Sequence, residues 1–319
     1  MKQSIHQSPR GAREQVMPAR PNYVQLYESG ELTRRIAVAR DILRDCTLCP
    51  RHCRVNRLQG ERGACRTGVS PVVSSYGPHF GEERPLVGRH GSGTIFLTGC
   101  NLRCLFCQNY DISQLDEGRE VTSGELAGMM VALWRQECHN LNFVTPTHQI
   151  AQILEALPLA IAQGVNIPLV YNCGGYEELT TLRLLDGIFD IYMPDFKYGD
   201  NEIAEGLSGV PNYVDTAKAA LREMHRQVGD LTLDQQGVAV RGLLVRHLVL
   251  PEGLAGTRRV MQFIARELSA DSYVNIMDQY HPCYQAREHP PLDRRPTRRE
   301  FAEAVAMAKE EGLTRLDSV

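Results

Sequence analysis

Cysteines at positions 46, 49, 53 and 65, and again at 100, 104 and 107, constrain this chain more than any other feature of its sequence. Ten cysteines are present, and these two groups hold seven of them. The first twenty residues, Met1 to Arg20, are polar, basic and broken by proline, without the apolar stretch of an export signal. The expected compartment is therefore the cytoplasm, where disulfides are disfavoured and clustered thiols point to metal or redox chemistry. The longest uncharged stretch, Ala156–Tyr176, is interrupted by Pro158, Gln163, Asn166, Pro168 and Asn172, so no membrane span is expected. Lys and Arg total 35 against 38 Asp and Glu, a net charge of -3. That balance gives no general attraction to nucleic acid or anionic lipid.

The 319 residues suit two domains or one α/β barrel. Residues 1–20 read as a flexible tail and 21–92 as a helix plus a cysteine-rich metal-binding segment. Leu32, Ile36, Ala39 and Leu43 predict a helix over Glu31–Arg44. Residues 69–92 are rich in Gly and Pro and read as turns with at most short strands. From residue 93 to 319 the texture alternates. Strand-sized apolar runs cover Thr94–Thr98, Leu141–Thr145, Pro168–Asn172, Ile188–Pro194, Leu243–Leu250 and Tyr273–Asp278. Amphipathic segments separate most of them, at roughly 148–163, 213–228 and 257–268. Two more begin at the capping boxes Thr122-x-x-Glu125 and Thr297-x-x-Glu300. Six such strands imply parallel βαβ units. No Gly-rich phosphate loop is present, which weighs against a nucleotide-binding doubly wound sheet.

The second cysteine group, Gly99-Cys100-Asn101-Leu102-Arg103-Cys104-Leu105-Phe106-Cys107, directly follows the first of these strands. Three thiolates so close can hold three corners of an iron–sulfur cube and leave one iron open for chemistry. The alternatives are three buried cysteines in a turn, or a zinc site completed by a distant ligand.

This loop resembles the cluster loop of the radical S-adenosylmethionine (radical SAM) enzymes. Within them it is most similar to the activating enzymes of glycyl radical enzymes. The run from Gly99 to Asn109 looks like the Gly-Cys-x-x-Arg-Cys-x-x-Cys-x-Asn run of the pyruvate formate-lyase activase. The whole chain, with its N-terminal cysteines, looks most like an uncharacterised activase-related branch. The resemblance implies a partial (β/α)6 barrel, a 4Fe-4S cluster on Cys100, Cys104 and Cys107, and S-adenosylmethionine on the open iron. Phe106 would lie beside the adenine. The family's Gly-Gly-Glu after the second strand is replaced by Thr145-Pro146-Thr147-His148, so Thr145, Thr147 or backbone carbonyls would take over its contact. Asn172-Cys173-Gly174-Gly175 resembles the family's Asn-Gly turn, Asp195-Phe196-Lys197 the activases' Asp-x-Lys, Arg246 a fifth-strand arginine, and Tyr280-His281 their Tyr-His. Asn172, Asp195, Lys197, Arg246 and His281 are thus expected to bind the cofactor. Each has a plainer role open to it: a solvated turn pair for Asp195 and Lys197, an outward edge-strand residue for Arg246, a structural turn for His281, a helix cap for Thr147 and His148.

Cys46, Cys49, Cys53 and Cys65 supply four thiolates, enough for a structural zinc or a second cluster. Cys138, Cys173 and Cys283 read as small buried hydrophobes. The resemblance implies reductive cleavage of S-adenosylmethionine to a 5′-deoxyadenosyl radical that abstracts a substrate hydrogen. A flavodoxin or ferredoxin would donate the electron, and a glycyl radical enzyme would be the substrate. Modification of a small molecule or a protein side chain is the alternative. A non-enzymatic iron–sulfur or zinc protein is the alternative of a different class.

Overall fold

Short apolar runs bounded by turns become buried strands when helices cover both faces of a sheet. The computed structural model describes residues 20–317, so the tail expected over 1–20 lies, but for Arg20, outside the described residues. Nine strands form the sheet: β1 (Val72–His79), β2 (Ser92–Leu97), β3 (Arg119–Glu120), β4 (Leu141–Val144), β5 (Leu169–Cys173), β6 (Ile191–Pro194), β7 (Thr232–Leu233), β8 (Ala239–Leu248) and β9 (Tyr273–Met277). β2, β4, β5, β6, β8 and β9 pair in that order, all parallel, and correspond to the six strands read from sequence. Among the described residues β9 does not pair back to β2, and the sheet stays an open partial (β/α)6 barrel.

The expected helix starts hold. Both capping boxes close, with Thr122 and Thr297 capping the helices Ser123–Arg135 and Arg298–Glu310. The segment 257–268 splits into an α-helix, Thr257–Phe263, and a π-turn over Ile264–Leu268. An additional helix, Asn201–Ser208, is capped by Asp200, whose side chain accepts from the Glu202 and Ile203 amides.

Residues 69–92 correct the sequence reading. They form the eight-residue strand β1, which pairs antiparallel with β2 and carries β3 at its outer edge. Gly77 and Pro78 sit within it, tolerated because β1 lies near the sheet's edge. A short helix, Arg84–Val87, then places Leu86 against Val170, Ile191, Met193 and Leu244 from β5, β6 and β8. That small core is separate from the main one, which joins the helices to the strands and includes Tyr23 and Leu32. The Tyr23 hydroxyl donates to the Ile167 carbonyl at 2.9 Å, tying the N-terminal helix to the turn before β5. No helix among the described residues is long and apolar enough to cross a membrane.

Candidate functional site

Parallel strands bring their C-terminal ends to one side of a sheet, which is where barrels of this kind place function. Here a cavity of about 200 Å³ opens there. Cys100, Cys104, Phe106 and Cys107 enter it from the loop after β2, Thr145 from the end of β4, Asn172 from β5, Asp195 and Lys197 from beyond β6, and Arg246 from β8. The loop from Gly99 to Cys107 thus needs a backbone that leaves β2 sharply. Gly99 supplies it at φ +87°, where a side chain would also strike the Cys65 carbonyl.

The three thiols are cushioned by polar groups. The Leu102 amide donates to the Cys100 sulfur at 3.3 Å. The Ser208 hydroxyl lies 2.9 Å from the Cys104 sulfur, and the Ser113 hydroxyl 3.1 Å from that of Cys107. Burial pushes the Cys100 and Cys104 thiols up, with Lys197 pulling the other way. They are poised to lose their protons to a metal, not to water. Phe106 is buried edge-on to Tyr280 and Tyr198, at ring separations of 5.9 and 6.3 Å.

Opposite the thiols stands a buried ion network. The Lys197 ammonium donates to Asp195 at 2.5 Å, and the Arg246 guanidinium donates to the other oxygen of Asp195 at 2.7 Å. A second nitrogen of Arg246 donates to the Asn172 side chain at 2.7 Å. Burial would raise the Asp195 carboxyl, but Arg246 and Lys197 outweigh it and hold it below the usual range. The three charged side chains are each 17% exposed, so they are not the solvated surface pair that composition alone allows. Arg246 lies on β8, flanked by β6 and β9, and faces the cavity.

Sequence reasoning missed Glu82, which lies 3.7 Å from Arg246 with its side chain 8% exposed. Its neighbour Glu83 accepts from Asn275 of β9 at 2.9 Å. The signal was a pair of acids in a Gly/Pro-rich segment that looked like solvated turn. Gln108 and Gln279, also unremarked, line the cavity beside Phe106.

Thr147 and His281 fall outside the cavity lining. Thr147 is buried, and its hydroxyl donates to Glu177 at 2.8 Å. His281 is turned to the surface, 3.3 Å from the Gln108 amide. The turn after β4 swings Thr147 beneath the sheet end, so Thr145 alone of the Thr-Pro-Thr run faces the cavity. Thr145 does so at φ +59°, a left-handed conformation native to glycine. Cys173 also lines the cavity, with burial and the nearby Glu177 pushing its thiol well up.

Among the described residues no three His, Cys, Asp or Glu side chains gather as a single metal ion requires. A cube seats each thiolate on its own iron, so Cys100, Cys104 and Cys107, all lining one cavity with donors to sulfur and with no fourth thiolate in their loop, fit a cluster with one open iron.

The radical SAM superfamily profile matches residues 94–234. The uncharacterized protein MJ0674 of Methanocaldococcus jannaschii is 35% identical over 302 residues, covering 92% of this chain and 82% of that one. A second uncharacterized protein of that organism, MJ0808, is 26% identical over 270 residues, covering 77% of this chain and 73% of its own. Among solved structures, a radical SAM methyltransferase from Sphaerobacter thermophilus aligns at TM-score 0.48 and 16% identity, over 71% of this chain and 67% of that one. The thiol loop that leaves β2 for the cavity lies inside the matched span, so the chain carries a radical SAM superfamily domain, and with 35% identity along nearly its whole length it belongs to one family with MJ0674.

Proposed function

We propose that this radical SAM enzyme activates a partner enzyme by removing a hydrogen atom from one of its backbone glycines. The observation that carries the reading is that two activase-like motifs, the loop Gly99–Asn109 and Asp195-Phe196-Lys197, face the same cavity. The cofactors are a 4Fe-4S cluster and S-adenosylmethionine. When bound, they supply one-electron cleavage of the sulfonium and a 5′-deoxyadenosyl radical that takes the substrate hydrogen.

The chain's own residues bind, orient and exclude water. Cys100, Cys104 and Cys107 would ligate three irons. Lys197 and Arg246 offer cations for the methionine carboxylate, and Arg246 presents the planar fork suited to a carboxylate. Asp195, held ionised between them, supplies negative charge toward the sulfonium. Phe106 walls the cavity with apolar surface for the adenine, while Thr145 and Asn172 offer hydroxyl and amide at the strand ends. No side chain needs to move a proton. A flavodoxin- or ferredoxin-type protein would deliver the electron, and the cytoplasm is the compartment that suits the chain's free thiols.

Anaerobically reconstituted, reduced protein should release 5′-deoxyadenosine from S-adenosylmethionine, and Cys104→Ala should abolish the release. Mixed with a glycyl radical enzyme encoded beside it, the protein should raise a glycyl radical signal in electron paramagnetic resonance. Release of 5′-deoxyadenosine without that signal would move the substrate to a small molecule or a protein side chain. Turnover that survives Cys104→Ala would sink the radical SAM assignment of this loop.

A further inference from the structure

The first cysteine group is built as a site in its own right. Cys46, Cys49, Cys53 and Cys65 line one void, together with Arg51 and Arg57. Arg57 is 1% exposed. Its guanidinium donates to the Gly68 carbonyl at 2.9 and 2.6 Å and to the His148 carbonyl at 2.8 Å, and a terminal nitrogen lies 4.0 Å from the Cys46 sulfur. Among the described residues no carboxylate pairs with it. Arg51 donates to the Asn101 carbonyl at 2.7 Å, and one of its terminal nitrogens is buried without any partner. A buried cation without an anion is costly. Four neutral thiols offer these guanidiniums no anion, whereas four metal-bound thiolates carry net negative charge at the place they surround. The Ala64 amide donates to the Cys53 sulfur at 3.3 Å, as backbone amides do to thiolates that ligate clusters.

The spacing of the thiols decides between one ion and several. A tetrahedral zinc holds its sulfurs about 2.3 Å from the centre. That distance requires all four sulfurs to converge on one point. Among the described residues no three of these thiols gather as a single ion requires, whereas a cube seats each thiolate on its own iron. Nor do Cys100, Cys104 and Cys107 gather as a single ion requires. We infer that Cys46, Cys49, Cys53 and Cys65 ligate a second iron–sulfur cluster, one iron each, with Arg57 and Arg51 as its counter-charges.

The second centre also touches the first. A side chain at Gly99 would meet the Cys65 carbonyl at 2.7 Å, and Arg103 donates to the Ala64 carbonyl at 3.3 Å. The two cluster loops are therefore packed against each other, and the inference does not depend on what the enzyme's substrate is.

The test removes the first cluster and counts what remains. In the Cys100/Cys104/Cys107→Ala triple variant, expressed and purified anaerobically, we expect about four irons and four sulfides per chain. One zinc per chain instead of iron overturns the cluster, and a folded variant with neither metal overturns the site. Should the triple variant not fold, the wild-type chain decides, since about eight irons support the second cluster and about four overturn it. Arg57 acts on the cluster only as a positioning residue. Arg57→Met should lower the reduction potential of the triple variant's cluster in a dithionite titration, and Arg57→Lys should restore part of it. An unchanged potential in Arg57→Met would remove Arg57 from this role. Loss of S-adenosylmethionine cleavage plays no part in these readouts, so failure here and failure of the radical SAM reading are separable.

Discussion

Thr145 is β-branched, precedes Pro146 and sits at φ +59°, three conditions that rarely coincide. A left-handed backbone costs an L-residue with a side chain roughly 1–2 kcal/mol, a strain usually kept only where a site requires it. Thr145→Gly removes that cost and adds about 0.5–1 kcal/mol of chain entropy. The variant should therefore melt at or slightly above the wild-type temperature, and a melting point several degrees lower would show that the threonine side chain is itself a structural tie. Arg246 and Lys197 differ in a way their sequence motifs do not reveal. Lys197 contacts Asp195 alone, whereas Arg246 also holds Asn172 and approaches Glu82. Lys197→Ala should weaken S-adenosylmethionine binding by about ten- to hundredfold, about 1–3 kcal/mol, with the fold intact. Arg246→Ala should weaken binding and also destabilise the protein by about 3 kcal/mol, because it takes the arginine from buried Glu82 and one of two cations from Asp195. Binding measured at equal cluster content, alongside urea denaturation, separates the two effects, and equal stability of both variants would refute the distinction.

At the scale of elements, the ends of β4 and β5 are tied by Glu177. Its carboxyl accepts from the Thr147 hydroxyl and the Tyr171 hydroxyl, each at 2.8 Å. Burial pushes it up to about 7, above the ordinary 4.5. Asp190, which accepts from the Leu169 amide at the start of β5, is likewise pushed by burial to about 7. The folded protein therefore binds these protons more tightly than the unfolded chain. Below about pH 3 both states are protonated and neither carboxyl carries a penalty. As pH rises toward 7 and beyond, folding must keep two buried carboxyls protonated or ionise them, at a cost of roughly 3 kcal/mol for Glu177 and roughly 4 kcal/mol for Asp190. Glu177→Gln should cancel about half of that alkaline loss, seen as a urea midpoint that falls less between pH 5 and pH 8. An unchanged fall would mean that the Glu177 carboxyl is not the group titrating. The two capping boxes make a simpler claim. Thr122→Ala and Thr297→Ala should each cost about 1 kcal/mol, because each removes an acceptor for an amide in the helix's first turn.

The whole molecule is held together by its N-terminal third. β1 pairs with β2, Leu86 fills the space inside β5, β6 and β8, and Tyr23 anchors ahead of β5. A chain beginning at residue 93 would expose the edge of β2 and empty the small core around Leu86. It should be expressed without a cooperative thermal transition, and cooperative melting of that fragment with wild-type circular dichroism would overturn this view. Sequence could not foresee the dependence. β1 carries Gly77 and Pro78 and lacks sustained apolar alternation, so its strand character comes from its partner and not from its own side chains.

The sequence alone determined what is local or chemical. Three cysteines within eight residues after a strand dictate ligand type, and apolar runs of strand length separated by amphipathic segments dictate parallel βαβ units. Thr-x-x-Glu dictates where two helices begin, because the reciprocal hydrogen bonds lie within one turn. Tertiary structure decided what joins distant residues. The Asn275–Glu83 contact spans 192 positions, Arg246 reaches Asn172 across 74, and Arg57 meets His148 across 91. Periodicity reports only which face a residue takes within its own element. It does not say that Asp195 is shared by two cations, that Thr147 turns to Glu177 while Thr145 faces the cavity, or that two cysteine loops 35 positions apart at Cys65 and Cys100 pack against each other. Those placements follow from strand order and register, which gather the ends of five separate segments into one mouth only once the sheet has formed.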